Sequence, residues 1–561
     1  MGATSSQTLV KPERLVLSGL NPYSGMFGRA ELIHLLSRTM FGAKKSDIDV
    51  LQGKTLAQVV DILLTGPTTD VAPPINNYAN ATTVDANVPL GQTWVYDVEN
   101  GNINGARRNS LKSWWVGNML NQGTSIHEKM VMFWHNHFST QMNNTSALYY
   151  YQHLVMLRQN ALGNFKTFVK TVTIDPNMLV YLNGFRNVKT APDENYGREL
   201  QELFTMGKDP QTYTEADVKA AAKVLTGWRN KSETFRINPN DTTEPLKNRW
   251  ASYFTLSLHD TTDKQFSAAY SNTIIKGNAT ADAGKIEIDA MLNMIFATND
   301  LPKFICRKLY RFFVYYKVDA TVETNVITPL ATIFKQNNYD IVPVLKALLT
   351  SEHFFDAANR GCIIKSPVDY LVGLLREFNV AFPDGTDYIA QYNAWGTVWS
   401  NTNGLAQQGQ NIGDPPNVAG WEAYYQAPLF HELWVNTDSF PKRLRFTDQL
   451  LTTGGFGLGN GKKFLINVVT FTDSLGIDAQ DPNTLVDRAL ELFFIVPVSA
   501  NYKAYLKTTI LLDGQASDHY WTDAWLAYKA APTNATSLNI VTTRLTKFYK
   551  FLLDSPEYQL S

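Results

Sequence analysis

The chain has 561 residues, of which 44% are hydrophobic, and 50 basic residues face 51 acidic ones. This hydrophobic share supports a sizeable core and excludes disorder as the main state. The balanced charge excludes a global field that would hold nucleic acid or an anionic membrane. No run reaches the roughly 18 apolar residues that a membrane helix needs.

Hydrophobic periodicity predicts a mainly α fold, namely a large multi-helix domain with a small β-hairpin or sheet insertion around 231–284. Residues 29–66 read as two helices around the turn Phe41-Gly42-Ala43. A stretch rich in Pro, Asn, Thr and Gly follows and predicts a long loop, which could be an ordered cover. The predicted regions are N-terminal helices, a loop insertion, a helical core with the β region, and a C-terminal helical region: 1–66, 67–108, 109–436 and 437–561.

Later segments give further local predictions. Residues 234–237 and 253–258 alternate as strands do. Residues 379–436 are loop-rich, and three or four helices are expected in the tail. The glycine run at 454–461 lacks the Lys-Ser/Thr ending of a phosphate loop, so a flexible connection is predicted.

The sequence carries no HExxH, GxSxG, Walker or paired CxxC motif, which argues against a standard zincin, a lipase-like hydrolase or a nucleotide triphosphatase. Two cysteines, Cys306 and Cys362, cannot make a disulfide scaffold. Buried free thiols are predicted, with one disulfide as the alternative. The N-terminus shows neither a charged nor an apolar leader region, which indicates a cytoplasmic protein or a mature form whose leader was replaced.

Residues 126–138 form a predicted helix whose apolar stripe includes Ile126, Met130 and Trp134. His137 lies in the middle of that stripe, and His135 lies near its edge. The two rings point roughly 200° apart on an ideal helix, so they would chelate one ion only if the chain extends here.

A second predicted helix, 193–207, places Glu199 inside an apolar arc. Asn195 and Glu202 flank the arc, and Arg198 lies farther round. A carboxylate that points at the core must be paired, protonated or bound to metal, because an unpaired buried charge is prohibitively costly.

Three interpretations of these helices compete. In the first, a structural network, Glu199 accepts from His137 or from an arginine such as Arg198 or Arg311. In the second, the helices hold a divalent metal ion, as carboxylate sites in helical bundles do. In the third, Glu199 is a shifted carboxylate in metal-free acid–base catalysis with His137 as its partner. The candidate metal ligands are His135, His137, Glu199, Glu202, His259 and Asp260.

Other candidates each have a structural and a functional interpretation. His259-Asp260 indicates an Asx-type turn with a surface histidine, or a histidine that faces the helical site. Lys365 is a surface cation, or it binds an anion near the positive end of the helix that Pro367 starts. Trp421 is expected to pack, with a ligand wall as the alternative.

In these motifs the sequence resembles a bacterial family of large proteins, the domain-of-unknown-function 1800 (DUF1800) family. The resemblance extends over nearly the whole chain. It implies a mostly helical fold and, commonly, export, with a periplasmic, cell-surface or extracellular location. It implies no assigned reaction. The segments that carry it include 32–43, 128–138, 175–182, 194–207, 213–218, 225–228, 259–260, 365–367, 415–421 and 555–560.

Two functions follow as hypotheses. The first is an exported helical protein with a buried His/Glu polar site that binds metal and is of hydrolytic or redox type. The alternative is a non-catalytic surface or assembly protein, whose partner is another exported protein or a second copy of the chain. The low charge and the high Tyr and Trp content favour that alternative.

Overall fold

The computed structural model describes residues 18–67, 70–208, 213–231, 251–425 and 430–561. The predicted mainly α fold is confirmed, and the described strands form small two-stranded antiparallel sheets. No helix in these ranges is long and apolar enough to cross a membrane. The helices are α1 Arg29–Thr39, α2 Lys45–Leu51, α3 Leu56–Leu63, α4 Asn104–Asn121, α5 His127–His137, α6 Ala147–Asn160, α7 Phe165–Thr173, α8 Pro176–Tyr181, α9 Glu194–Glu202, α10 Glu215–Val224, α11 Ala283–Phe296, α12 Asp300–Phe313, α13 Ala320–Val322, α14 Thr328–Gln336, α15 Ile341–Leu349, α16 Glu352–Phe355, α17 Pro367–Glu377, α18 Tyr388–Trp399, α19 Glu422–Tyr425, α20 Ser439–Leu451, α21 Val468–Ser474, α22 Pro482–Phe493, α23 Ala500–Tyr505, α24 His519–Ala530 and α25 Ala535–Asp554.

The N-terminal region holds three helices where the sequence predicted two. Gly42 makes the expected turn with φ +74°, and a side chain there would collide with Glu377. A second break falls at Gly53, with φ +84°, and Thr55 then caps α3 by accepting from Gln58 N. Left-handed backbone favours glycine, so each break lies where the chain can reverse at little cost.

The predicted loop insertion is pinned to α4 by a buried ion cluster. The Arg107 guanidinium donates to Asp85 at 3.0 Å and also bonds to Asp97, and all three side chains are almost fully buried. Tyr78 donates its hydroxyl to Asp85 at 2.8 Å. Helix α4 begins inside the predicted insertion, at Asn104. The described part of the insertion before α4 therefore has a fixed course without a helix or strand of its own.

Within the described residues of the predicted β region, the strands are shorter than their alternating pattern suggested. Strand β1 Trp228–Asn230 pairs with β2 Ser252–Phe254, and β3 Lys264–Gln265 pairs with β4 Ile274–Ile275. The strand predicted over 253–258 ends at Phe254, because Leu256–Leu258 turns into a 3₁₀ helix. The strand predicted over 234–237 lies outside the described residues.

The C-terminal half is more regular than predicted. Helix α18 lies within the stretch predicted to be loop-rich, and the tail contains more helices than the three or four expected. The glycine run is part of a hairpin between β5 Phe456–Gly459 and β6 Lys462–Phe464, not only a flexible connection. Asn460 and Gly461, which both have positive φ, make the two-residue hairpin turn.

Helix α5 runs through the middle of the packed helices. Every residue from His127 to His137 is buried, including the polar residues of both its first and its last turn. Its polar side chains must therefore find partners inside the protein, since a buried polar group without a partner is costly. The candidate functional residues lie at its two ends.

Candidate functional site

At the C-terminal end of α5, His137 contacts the end of α9. Its Nε2 donates to the carbonyl oxygen of Phe204 at 3.1 Å, which leaves Nδ1 to accept from Lys308 Nζ at 3.0 Å. Lys308 also donates to the carbonyl oxygen of Leu203 at 3.3 Å. The two basic side chains thus hydrogen-bond to carbonyls directly after α9, where a helix leaves acceptors unsatisfied.

Burial controls the protonation of this basic pair. It lowers the pKa of His137 well below its usual value, and the nearby Lys308 lowers it further. Burial also lowers the pKa of Lys308 to about 7, with a smaller effect from Arg311. A neutral imidazole beside an easily deprotonated amine follows from this environment.

Glu199 does not bond to His137, whose two ring nitrogens are already used. The Glu199 carboxylate is half-buried and makes no hydrogen bond or ion pair within the described ranges. Burial raises its pKa, and the neighbouring Glu202 raises it further. The first interpretation, a structural network, expected Glu199 to accept a hydrogen bond from His137. His137 is part of a structural network, but the group that accepts its hydrogen is the carbonyl oxygen of Phe204.

The polar residues that flank Glu199 have separate partners. Glu202 accepts from the Tyr213 hydroxyl at 2.8 Å and pairs with Lys208 at 3.2 Å. Arg198 makes two 2.7 Å bonds to Glu215 near the surface. Asn195 is exposed. This side of α9 is therefore a half-exposed polar surface.

His135 points away from His137, as helical periodicity predicted. Its Nε2 accepts from Gly413 N at 3.2 Å, and its ring lies edge-on to Trp421 at 5.5 Å. Asn136 accepts from Trp421 N at 2.7 Å. Trp421 is 3% exposed, so its role is packing against α5.

His259 belongs to a different buried cluster. Its Nδ1 donates to the carbonyl oxygen of Thr226 at 2.9 Å, and its Nε2 lies 3.2 Å from Glu287. Lys264 also pairs with Glu287, at 2.6 Å. Asp260 accepts from Thr262 in the predicted Asx-type turn. The expected surface histidine was wrong, because His259 is fully buried.

Lys365 is 6% exposed, so the interpretation as a surface cation was wrong. Its Nζ lies 3.9 Å above the centre of the Tyr558 ring. Burial lowers its pKa, and the charges of Glu377 and Asp369 act in the opposite direction. The aromatic face provides part of what water would otherwise supply to the ammonium group.

The six candidate metal ligands therefore do not meet at one place. His135 bonds to the loop before Trp421, and His137 bonds to the chain directly after α9. Glu199 and Glu202 lie on α9, and His259 and Asp260 lie near Glu287. Within the described ranges no three His, Cys, Asp or Glu side chains form a group that could hold a metal ion. Both cysteines are free thiols, as expected. Cys306 is buried as predicted, whereas Cys362 is partly exposed, so the prediction of a buried thiol was wrong there.

The N-terminal end of α5 borders a cavity that the sequence analysis did not identify. Its volume is about 550 Å³, and we call it the α4–α6 cavity. It lies between the start of the insertion, the end of α4 and the first turn of α5. Its walls include Ile62, Pro67, Val71, Asn118, Gln122, Ser125, His127, Glu128 and Arg158.

The walls of this cavity hold polar atoms whose hydrogen bonds are unused. Asn118 Nδ2, both amide atoms of Gln122 and Glu128 Oε2 are buried and have no partner within the described ranges. Buried polar atoms without partners are uncommon, and each costs about 1–3 kcal/mol. These atoms lie behind the cavity surface and are closed to solvent, so the Asn118, Gln122 and Glu128 side chains would have to turn towards the cavity for a bound molecule to supply the missing partners.

An ion pair lies at the base of the cavity. Arg158 bonds to Glu128 Oε1 through Nη1 alone, while His127 Nε2 donates to the Arg158 carbonyl oxygen at 2.7 Å. Burial raises the pKa of Glu128, but the neighbouring His127 and Arg158 outweigh it and hold that pKa below its usual value. Glu128 is therefore a charged acceptor at neutral pH.

The sequence gives only a weak signal for these residues, and it concerns Glu128. Glu128 lies in the first turn of a helix that is otherwise rich in apolar residues, where it could be taken for an ordinary charge at a helix N-terminus. Arg158 and Gln122 give no pattern, because they come from other segments. The cavity exists only where these segments meet.

The comparisons with known proteins give one match. The model of a family described as a protein of unknown function (DUF1800) matches residues 34–560. No curated protein and no solved structure matches the chain.

Proposed function

The chain belongs to the DUF1800 family, to which no activity is assigned, and from its own residues we propose that it binds a small, uncharged, polar ligand in the α4–α6 cavity. The observation that carries this proposal is the set of unpartnered buried atoms on Asn118, Gln122 and Glu128. Ligand pockets typically measure about 300–1,000 Å³ and combine apolar walls with a few converging polar groups. The α4–α6 cavity has both features.

The chemistry of the cavity supports binding in preference to proton transfer. A general acid needs a pKa near the working pH, but the pKa of Glu128 is lowered. Arg158 does not lose its proton in proteins. These groups instead offer fixed acceptors and donors, and the Gln122 amide offers one of each.

Saturation-transfer NMR on the full chain tests this proposal with glucose, N-acetylglucosamine and N-acetylglycinamide as probes. At least one uncharged probe should bind to the unmodified protein and lose its signal in the variant Gln122→Leu. Gln336→Leu, on an exposed position of α14, is the matched control and should bind as the unmodified protein does. If no uncharged probe binds, or if both variants bind equally well, the proposal is wrong.

A second candidate function is metal-assisted or acid–base chemistry beside α9. It is favoured by the half-buried carboxylate of Glu199, which has no partner within the described residues and whose pKa is raised by burial and by the neighbouring Glu202. Elemental analysis of purified protein tests the metal, which should fall in Glu199→Gln but not in Gln336→Leu. Equal metal content in both variants would exclude Glu199 as a metal ligand.

Export also belongs to the proposal, because the family resemblance implies it. Cell fractionation with antibody detection should find the protein outside the cytoplasm. Detection only in the cytoplasm would contradict export and would leave the ligand site unaffected.

A further inference from the structure

A second cavity of about 360 Å³ adjoins the α4–α6 cavity, and we call it the α6 cavity. Both are lined by Gly66, Pro67, Val71, His127 and Arg158. These residues form a junction between two spaces, each of which is large enough for a small ligand. A ligand too long for one cavity would extend into the other and would pass over Arg158.

The α6 cavity offers polar and apolar contacts together. Tyr151, Gln159 and Asp70 contribute polar groups, whereas Val155 and Leu162 contribute apolar walls. Arg158 uses only Nη1 on Glu128, so among the described residues its Nε and Nη2 remain as donors at the junction. Hydrogen-bonding groups next to small apolar surfaces match a molecule whose own polar and apolar faces alternate.

The charges around the two cavities disfavour an anion. Glu128 and Asp70 carry negative charges, and Arg158 is the opposing cation on the described walls. An anionic ligand would lie near two carboxylates with one guanidinium, which is already paired, to offset them. An uncharged ligand avoids this repulsion and can still accept from Arg158.

The walls also disfavour an extended peptide. The walls from α5 and α6 are helical, so most of their backbone donors and acceptors are used within the helix. Peptides are commonly held through backbone bonds to a sheet edge, which these walls do not offer. Recognition would instead depend on side-chain amides, a carboxylate, a guanidinium and a phenol, all of which pair readily with hydroxyl groups.

We infer that the ligand is an uncharged oligosaccharide with at least two sugar units, one in each cavity, and with the linkage crossing Arg158. This inference rests on the proposed function and adds the class and the minimum length of the ligand. The first unit meets Gln122 and Glu128, and the second meets Tyr151 and Gln159. Binding is non-covalent.

Titration calorimetry on the full chain tests the inference with cellobiose, maltose and N,N′-diacetylchitobiose against glucose and N-acetylglucosamine. At least one disaccharide should bind about tenfold or more tightly than its own monosaccharide. Digalacturonate and N-acetylglycylglycinamide, an uncharged peptide, should bind at least about tenfold more weakly than that disaccharide. Tighter binding of either would overturn the inference.

Two variants in the α6 cavity distinguish its contribution to binding from that of the α4–α6 cavity. Val155→Trp should fill the α6 cavity, so it should reduce disaccharide affinity to that of the monosaccharide and leave monosaccharide affinity unchanged. Gln159→Ala, at an exposed position, gives a milder loss of the same kind without risk to folding. Monosaccharide binding that depends on Gln122, without any gain for a disaccharide, would overturn the inference and leave the proposed function intact. No binding of any uncharged probe would overturn both.

Discussion

The Nε2 hydrogen of His137 is donated to the carbonyl oxygen of Phe204, 3.1 Å away, so α5 contacts α9 at its C-terminal end and not through Glu199. Lys308 completes this contact by donating to His137 and to Leu203. The result is a buried basic pair held by helix-end carbonyls. Its environment determines how the stability of the protein should respond to pH.

Lys308→Met should remove a pH-dependent part of the stability. The folded-state pKa of Lys308 is about 7, below its value of 10.5 in an unfolded chain, so between these values the unfolded state binds more protons. Lys308 therefore makes the free energy of unfolding of the unmodified protein rise with pH across this window, by up to about 1.4 kcal/mol per pH unit. Denaturant unfolding from pH 6 to 10 measures the difference between the two proteins.

The difference between the two proteins is the relevant quantity, because other lysines and tyrosines also titrate in this range. The stability of Lys308→Met relative to the unmodified protein should be greatest near pH 7 and should decline towards pH 10. A difference that stays constant across this range would show that Lys308 keeps its ordinary pKa.

Arg107→Met should strongly destabilise the protein. It leaves the buried carboxylates of Asp85 and Asp97 without their cation, and breaking a buried pair in this way costs about 3–5 kcal/mol. Arg198→Met is the matched control, since Arg198 pairs with Glu215 near the surface and should cost about 0–1 kcal/mol. Denaturant unfolding of both variants checks the contrast, and equal losses would contradict the burial of the cluster.

Gly420→Ala should destabilise the protein more than Gly409→Ala does. Both glycines have φ near +90°, which costs a residue with a side chain about 1–2 kcal/mol. A Cβ on Gly420 would also lie 2.2 Å from Asn136 Oδ1, whereas in the part of the chain that the structure describes no atom lies within 4 Å of a Cβ on Gly409. The melting temperature should fall further for Gly420→Ala, and similar falls would exclude close packing of this loop against α5.

Gln122→Met should stabilise the protein in the absence of ligand. The change removes two buried polar atoms without partners and keeps a similar side-chain volume, so the free energy of unfolding should rise by about 1 kcal/mol. The same variant should bind the uncharged probes more weakly. A loss of stability would mean that the Gln122 amide has partners in the unliganded protein.

Much of the helical architecture could be predicted because apolar periodicity is local. The pattern placed α5 and α9, and it placed His137 on the buried stripe. It also placed Glu199 inside an apolar arc facing the core, whereas the structure leaves Glu199 only half-buried. It failed where a short glycine-containing turn decides between one helix and two, as at Gly53, and where alternation was too brief to fix a strand, as after Phe254. These features depend on a few residues whose conformation is set by their neighbours in space.

By itself, the sequence determined that His137 points inward, because a helix fixes the direction of each side chain around its axis. It did not determine what His137 meets, because the axial position of α9 against α5 depends on how the whole core packs. Only the tertiary structure placed the Phe204 carbonyl, and not the Glu199 carboxylate, within hydrogen-bonding distance. The cavity beside Gln122, Glu128 and Arg158 was likewise decided by packing, since it is a space between segments that no single one of them encodes.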